Sequence, residues 1–245
     1  MHLFFAEHHN ISDDRIVLEG TDYNHIKNVL RLKPGSKIQV KSGDNMSYTC
    51  VINGFENECV ICDIEDVSTQ NTELPVKVTI FQGLPKAEKM ETVIQKCIEL
   101  GAVRIVPVSM ERCITKLDEK KAENKVKRWR AIAQAAAQQS KRSIIPEVAD
   151  VCDLTGALEM AKECDTILMP YECAEGFQET RRVLSEIPYG SSVAVFIGPE
   201  GGIGAGELEQ AKEAGAQIIS LGSRILRTET AAMMLMSVMI YLFEE

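Results

Sequence analysis

A glycine-rich loop, GPEGGIGAG at residues 198–206, directly follows the apolar run at residues 192–197. Glycine lets a backbone approach a ligand closely, and Pro199 fixes one side of the bend. The loop lacks the glycine spacing of a dinucleotide site and the lysine of a P-loop. It therefore suits a ligand with few phosphates or none, bound by main-chain amides and carbonyls. A tight turn that merely precedes the next helix is the alternative explanation.

A second loop, SRILRTETA, brings two arginines close to a carboxylate, since Arg224 and Arg227 precede Glu229. A planar guanidinium offers paired donors, which bind phosphate oxygens or stabilise an anionic base. A structural ion pair between an arginine and Glu229 is equally compatible with the sequence. The methionine-rich helix that follows predicts either core or a dimer face.

Charge is unevenly distributed along the chain. The segment 112–142 carries ten Lys or Arg and three acids, a local charge of +7 in a chain of -9. Such a segment in an acidic protein is typical of a nucleic-acid contact, although a solvated helix face would have the same composition. Trp129 among the arginines and the amide-rich end of the same helix favour RNA.

The elements that would position these loops change in type near residue 72. Before it, short β-like runs separated by turns, with one helix at 21–30, predict a small barrel. After it, strands and helices alternate, which predicts an α/β fold with a parallel sheet covered on both faces. Ligands gather at the carboxyl ends of parallel strands, so we expect three loops, at 169–173, 198–202 and 222–231, to converge.

Composition narrows the class of protein further. No segment has the apolar length of a membrane span and the N-terminus lacks a signal-peptide core, so we expect a cytoplasmic protein. The cysteines lie mostly in apolar runs, as reduced and buried side chains do. Cys59 and Cys62 have a zinc-like spacing, but no second ligand pair matches them, and adjacent His8 and His9 diverge. We therefore expect no metal.

Several motifs of the chain occur together in one known family. FIGPEGGIGAGELEQAKEAG followed by ISLGSRILRTETA resembles the S-adenosylmethionine-binding signature of the RsmE family, the ribosomal RNA uridine-N3 methyltransferases of the SPOUT superfamily. HIKNVLRLKPGSKIQV resembles the family's N-terminal barrel, PKAEKMETVIQKCIELG its first catalytic-domain helix, and RWRAIAQAAAQQSKRSIIPEV its central helix. In that helix relatives commonly carry glutamates where this chain has Ala135 and Gln138, whereas Gln139, Ser140 and Arg142 match.

The resemblance implies a two-domain homodimer. Residues 1–71 would form a PUA-like RNA-binding β-barrel, and residues 72–245 a trefoil-knotted SPOUT methyltransferase domain, an α/β fold with a parallel sheet. It also implies S-adenosylmethionine as the cofactor, held by the loops at the three strand ends. By this resemblance the cofactor-binding residues are Leu168, Pro170, Phe196, Ile197, Gly198, Pro199, Glu200, Gly201, Gly202, Leu221, Gly222, Ile225, Leu226, Arg227 and Thr230.

The reaction that the resemblance implies is methyl transfer to N3 of a uridine in 16S ribosomal RNA, either free or in the assembled small ribosomal subunit. Uracil N3 carries a weakly acidic proton, whose removal needs a base or a cation that stabilises the anion. Arg227 is the expected stabiliser, and Glu200 or Glu229 the expected base. The residues expected to guide the RNA are Arg31, Arg128, Gln139 and Arg142. A nicotinamide-dependent oxidoreductase and a noncatalytic RNA-binding protein are the alternatives.

Overall fold

The computed structural model describes residues 1–172 and 176–244 of the chain. The chain divides into two compact units. One comprises Met1–Glu73 and Ala137–Ile145, and the other comprises Leu74–Ala136 and Pro146–Glu245. Cys173, at the end of the loop predicted at 169–173, lies outside the described residues.

The first unit is built on a sheet with one helical segment. Its strands are β1 (His2–Phe5), β2 (Arg15–Leu18), β3 (Lys37–Lys41), β4 (Met46–Glu56) and β5 (Cys59–Thr69), which pair in the order β1-β3-β4-β5-β2. A 3₁₀ turn occupies His8–Asn10, and helix α1 (Thr21–Asn24) continues as a π-helical turn at His25–Val29. Alternating side chains such as Ile38 and Val40 fill its core. The predicted β-runs and the predicted helix are therefore present.

A buried polar network includes Lys41, the last residue of strand β3 in this unit. The Lys41 ammonium donates to the carbonyl O of Lys141 at 2.9 Å, and burial lowers the pKa of Lys41 although Glu73 opposes this. Arg142, only 3% exposed, donates to the Glu73 carboxylate, which also accepts the backbone N–H of Ser143 at 2.8 Å. The expectation that Arg142 guides RNA is corrected by this burial, because the guanidinium is used to stabilise the fold.

In the second unit strands and helices alternate, as the sequence predicts. The strands are β6 (Lys77–Gly83), β7 (Arg104–Ser109), β8 (Glu147–Val148), β9 (Cys152–Asp153), β10 (Thr166–Pro170), β11 (Ser192–Ile197) and β12 (Gln217–Ile219). The helices are α2 (Lys89–Glu99), α3 (Glu119–Gln139), α4 (Leu154–Ala161), α5 (Phe177–Ser185), α6 (Ala205–Glu213) and α7 (Thr228–Phe243). The last residues of α3 are counted with the first unit.

These strands form a parallel sheet in the order β12-β10-β11-β6-β7-β8, and β9 also pairs with β7. Strands β6 and β11 lie in its middle and are almost wholly buried. Phe81 and Phe196 are neighbours in register, and their rings stack with centroids 4.6 Å apart. Apolar strands buried on both faces are typical of α/β folds. The predicted α/β fold with a parallel sheet is confirmed.

Helix α3 carries much of the basic segment 112–142. The Asp118 carboxylate accepts the backbone N–H of Lys121 at 2.9 Å and caps the helix start. The helix ends at Gln139, before the basic segment does, because Lys141 adopts a left-handed backbone with φ of 58°. Trp129 is buried, so it belongs to the core and offers no exposed ring for stacking on RNA bases.

Candidate functional site

A cavity of about 400 Å³ opens where strands β10, β11 and β12 end. Strand β10 pairs with both of the others, so the loops that follow the three strands start at the same edge of the sheet. The predicted convergence of the three loops is confirmed for the described residues. The residues expected at a cofactor that line the cavity are Pro170, Ile197, Gly198, Pro199, Glu200, Gly201, Gly202, Leu221, Gly222, Ile225, Leu226 and Arg227.

Three further residues expected at the cofactor do not line this cavity. Leu168 and Phe196 are fully buried within β10 and β11, where their side chains pack in the sheet core. Thr230 lies in the first turn of α7. These three residues therefore lie in the strands and the helix that carry the loops and not at the cavity surface.

The glycine loop that follows β11 is held in a specific shape. The Gly202 backbone has φ of +76°, which favours glycine, and its N–H donates to the carbonyl O of Pro199 at 2.9 Å. A Cβ added to Gly201 would stand 2.9 Å from both the Cβ and the carbonyl O of Arg112, so only glycine allows this approach. The Arg112 guanidinium also donates to the carbonyl O of Gly201 at 3.2 Å. These contacts within the chain fix the shape of the loop.

Two buried side chains support the loop from the sheet side. The Thr228 hydroxyl, at the start of α7, donates to the carbonyl O of Gly198 at 2.7 Å. The Gln82 amide, fully buried in β6, donates in turn to the Thr228 hydroxyl at 2.8 Å. Sequence reasoning missed Gln82 and Thr228. The available signal was a lone polar residue near the end of the apolar strand β6.

A charged cluster contacts the same loop. The Lys89 ammonium lies 3.0 Å from the Glu200 carboxylate and 3.5 Å from that of Glu229. Partial burial alone would raise the pKa of Glu200. The hydrogen bond from Lys89 and the backbone N–H groups of Glu200 and Lys86 outweigh it and hold that pKa below its usual value. Conversely, the hydrogen bond to Glu200 raises the pKa of Lys89. Lys89 was missed because an isolated lysine at a helix start has no distinctive sequence pattern.

Arg224 and Arg227 line the cavity with exposed side chains. The alternative of a structural ion pair between one of them and Glu229 is not what the described residues show, because the cation beside Glu229 is Lys89. Arg227 immediately precedes the first residue of α7, where its guanidinium remains available to an anion at the cavity. The arrangement therefore combines main-chain atoms with exposed positive charge at one opening.

The other residues expected to contact RNA are exposed. Arg31 is exposed after the π-helical turn and has φ of 54°. Gln139 is exposed at the end of α3. Arg128 is 61% exposed but pairs with Glu91 at 2.8 Å, so an RNA phosphate would have to compete with that carboxylate.

Family models match most of the chain. A model described as an RNA methyltransferase domain matches residues 72–240, and one described as an RNA methyltransferase PUA domain matches residues 18–63. A Bacillus subtilis protein named ribosomal RNA small subunit methyltransferase E is 37% identical over 91% of this chain and 89% of its own length. The chain belongs to this family. The resemblance to the RsmE family is thereby confirmed.

Solved structures from the same family share the whole fold. A ribosomal RNA small subunit methyltransferase E from Neisseria gonorrhoeae, bound to S-adenosylmethionine, superposes with a TM-score of 0.85 at 31% identity over 99% of this chain and 98% of its own. A methyltransferase from Legionella pneumophila in complex with the cofactor SAM gives a TM-score of 0.88 at 31% identity over 98% of this chain and 96% of its own. These relatives carry the family fold from end to end.

Two kinds of feature are absent from the residues that the structure describes, a membrane-spanning helix and a metal cluster. None of their helices combines the length and the apolar composition needed to cross a bilayer. Within the same residues, no group of three or more His, Cys, Asp or Glu side chains is arranged to hold a metal ion. Burial raises the pKa of the Cys62 thiol to about 12, so this half of the zinc-like pair stays protonated at neutral pH.

Proposed function

We propose that this member of the family transfers the methyl group of S-adenosylmethionine to N3 of a uridine in 16S ribosomal RNA. The observation that carries the proposal is the cavity at the ends of β10, β11 and β12, whose walls contain both motifs that resemble the cofactor signature. The solved relatives bound to the cofactor support the choice of methyl donor. The names of the relatives support ribosomal RNA of the small subunit as the substrate class.

The cavity suits this cofactor in size and in chemistry. Small-molecule sites typically enclose roughly 300–1,000 Å³, and this cavity of about 400 Å³ lies within that range. Gly198, Gly201 and Gly202 bring the main chain itself to the cavity wall, while Ile197 and Leu226 offer apolar contact. When bound, the cofactor supplies an activated methyl group on a sulfonium, so the chain's residues mainly orient the reactants and exclude water.

The chain's own charged residues supply the remaining chemistry. Arg227 lies at the cavity and would stabilise the negative charge that develops on the uracil ring when N3 loses its proton. A carboxylate near the cavity would accept that proton, and Glu200 and Glu229 are the candidates. Arg31, Arg128 and Gln139 would guide the RNA, which is either free 16S ribosomal RNA or the assembled small subunit.

We propose a separate role for each of the two domains. Residues 1–71 would act as a PUA-like RNA-binding barrel, and residues 72–245 as a SPOUT methyltransferase domain whose chain is threaded into a trefoil knot. The family models at 18–63 and 72–240 support this division of labour. A cytoplasmic location follows from the proposed ribosomal substrate.

We also propose a homodimer that buries part of α7. This helix leaves Tyr241 86% exposed and Leu242 exposed, and apolar side chains of this size favour a protein contact. Sedimentation at micromolar concentration checks this, and a mass of one chain would overturn it.

The decisive experiment measures transfer of labelled methyl groups to small-subunit RNA and particles, followed by mass spectrometry of the nucleosides. The expected product is N3-methyluridine. Arg227→Met should lower kcat by about 10²–10³-fold, because a donor aimed at developing charge is removed, while cofactor affinity stays within about threefold. Unchanged turnover would eliminate the role of Arg227. A methyl group on another atom would overturn the assignment of N3, and RNA binding without transfer would indicate a noncatalytic RNA-binding protein.

A further inference from the structure

One lysine joins three segments of the chain next to the cavity. Lys89 is the first residue of α2, Glu200 belongs to the glycine loop after β11, and Glu229 lies in the first turn of α7. The Lys89 ammonium contacts both carboxylates, at 3.0 Å and 3.5 Å. More than a hundred residues of sequence separate α2 from the glycine loop, so the contact between them is a tertiary one.

Glu200 is engaged on the side of α2. Its two carboxylate oxygens accept the backbone N–H of Lys86 at 3.1 Å and 3.3 Å, in addition to the ion pair with Lys89. Its side chain is 25% exposed, and its pKa lies below the usual value. A carboxylate stabilised in its charged form by such donors is a weak proton acceptor. The same bonds connect the middle of the glycine loop to the turn before α2.

The Glu229 carboxylate has fewer hydrogen-bond partners than that of Glu200. Its Oε2 atom is buried and makes no hydrogen bond of good geometry among the described residues, although the Lys89 ammonium is 3.5 Å away. The two carboxylates that share Lys89 therefore differ in position, since Glu200 lines the cavity and Glu229 does not.

We infer that Lys89 is a positioning residue for the cofactor loop and that Glu200 is the carboxylate through which it acts. This inference concerns the shape of residues 198–204 and holds whether or not the proposed reaction is correct.

The chain offers a matched control on the same helix. Lys96 pairs with Glu99 at 2.8 Å, three residues away within α2 and outside the cavity lining. Lys96→Met removes a lysine and an ion pair of similar length but no link to the glycine loop. Lys89→Arg keeps the charge and tests for rescue.

The first measurement is hydrogen exchange of the full chain without cofactor, read by mass spectrometry of peptides covering 198–204. Useful reporters are the Gly202 amide, bonded to Pro199, and the Gly204 amide, bonded to Glu207. Lys89→Met should accelerate their exchange about fivefold, as loss of a partly buried ion pair opens the loop, whereas Lys96→Met should leave it unchanged and Lys89→Arg should restore most of the protection. Equal exchange in Lys89→Met and the unmodified chain would overturn the positioning role.

The second measurement determines KM for S-adenosylmethionine and kcat separately in the methyl-transfer reaction. Lys89→Met and Glu200→Gln should each raise KM for S-adenosylmethionine about fivefold to tenfold with kcat within about threefold, and the double variant should be no worse than either single one. A kcat loss of about 10²-fold or more in Glu200→Gln would show that Glu200 is the base and overturn its assignment as the carboxylate through which Lys89 acts. If the unmodified chain transfers no methyl group, the proposed function fails, while hydrogen exchange still decides the role of Lys89.

Discussion

Replacing Thr228 by valine removes the hydroxyl that connects the sheet to the cofactor loop. Valine keeps the β-branched shape and nearly the volume of threonine, so no cavity is left behind. Two hydrogen bonds are lost, the one that Thr228 donates to the Gly198 carbonyl at 2.7 Å and the one that it accepts from Gln82 at 2.8 Å. The substitution therefore isolates polar contacts from packing.

The expected loss of stability follows from these two bonds. Each neutral hydrogen bond contributes about 1 kcal/mol net, and leaving a buried polar group without a partner adds about 1 kcal/mol or more. Gln82 is fully buried, and its amide would keep the bond it donates to the Gly83 carbonyl O at 2.9 Å, so the loss of the bond to Thr228 leaves one buried N–H without a partner. Gly198 lies at the cavity wall. We therefore expect a loss of about 2–3 kcal/mol in the free energy of unfolding.

Urea unfolding of the unmodified chain and of Thr228→Val measures this loss through the shift in midpoint at constant slope. Ser237→Ala is the control, because Ser237 is on the same helix, is exposed, and donates only to the carbonyl of Met233 at 2.8 Å. Its effect should stay within about 0.5 kcal/mol. If Thr228→Val also costs less than about 0.5 kcal/mol, the reasoning that this hydroxyl anchors the loop is refuted.

Two further predictions concern a glycine and an acid. Gly201→Ala should weaken S-adenosylmethionine binding by about tenfold or more, because the new methyl group would stand 2.9 Å from the backbone of Arg112, whereas Gly206→Ala, with open space around it, should bind normally; equal affinities in calorimetry would contradict the close approach. Burial raises the pKa of Asp22 above its ordinary 3.8, so this carboxyl costs stability at pH values above its folded-state pKa, and the cost disappears as pH falls below 3.8. Asp22→Asn should therefore raise the urea midpoint at neutral pH and raise it less as the pH is lowered, and a lower midpoint at neutral pH would contradict the sign.

The sheet and the edge at which its loops lie could be predicted because both follow from local patterns of the sequence. Apolar runs such as 192–197, which alternate with helical periodicity, specify buried parallel strands. Because ligands bind at the carboxyl ends of such strands, the position of the glycine loop in sequence already indicates its position in the fold. The edge of the sheet at which the loops lie follows from the strand direction alone, whereas their meeting in one cavity depends on the pairing of β10 with both β11 and β12.

Charge patterns were less reliable guides. Arg142 belongs to the same basic segment as Arg128, yet one is buried against Glu73 and the other is 61% exposed. The sequence cannot separate them, because the helix that would continue the surface face ends at Gln139 and the left-handed backbone at Lys141 redirects the next side chain inward. The left-handed backbone at Lys141 therefore places Arg142 in a structural ion pair, although the sequence predicts that it contacts RNA.

The residues that sequence reasoning missed share a physical cause. A glycine loop has few side chains of its own to define its shape, and its backbone is entropically costly to order. Its carbonyls and carboxylate must therefore be fixed by donors from elsewhere in the chain. Arg112, Thr228 and Lys89 serve Gly201, Gly198 and Glu200 in this way, across separations that no local pattern records. A loop that exposes its backbone to a ligand depends on distant side chains for its shape, so its motif can be recognised from the sequence while its supports cannot.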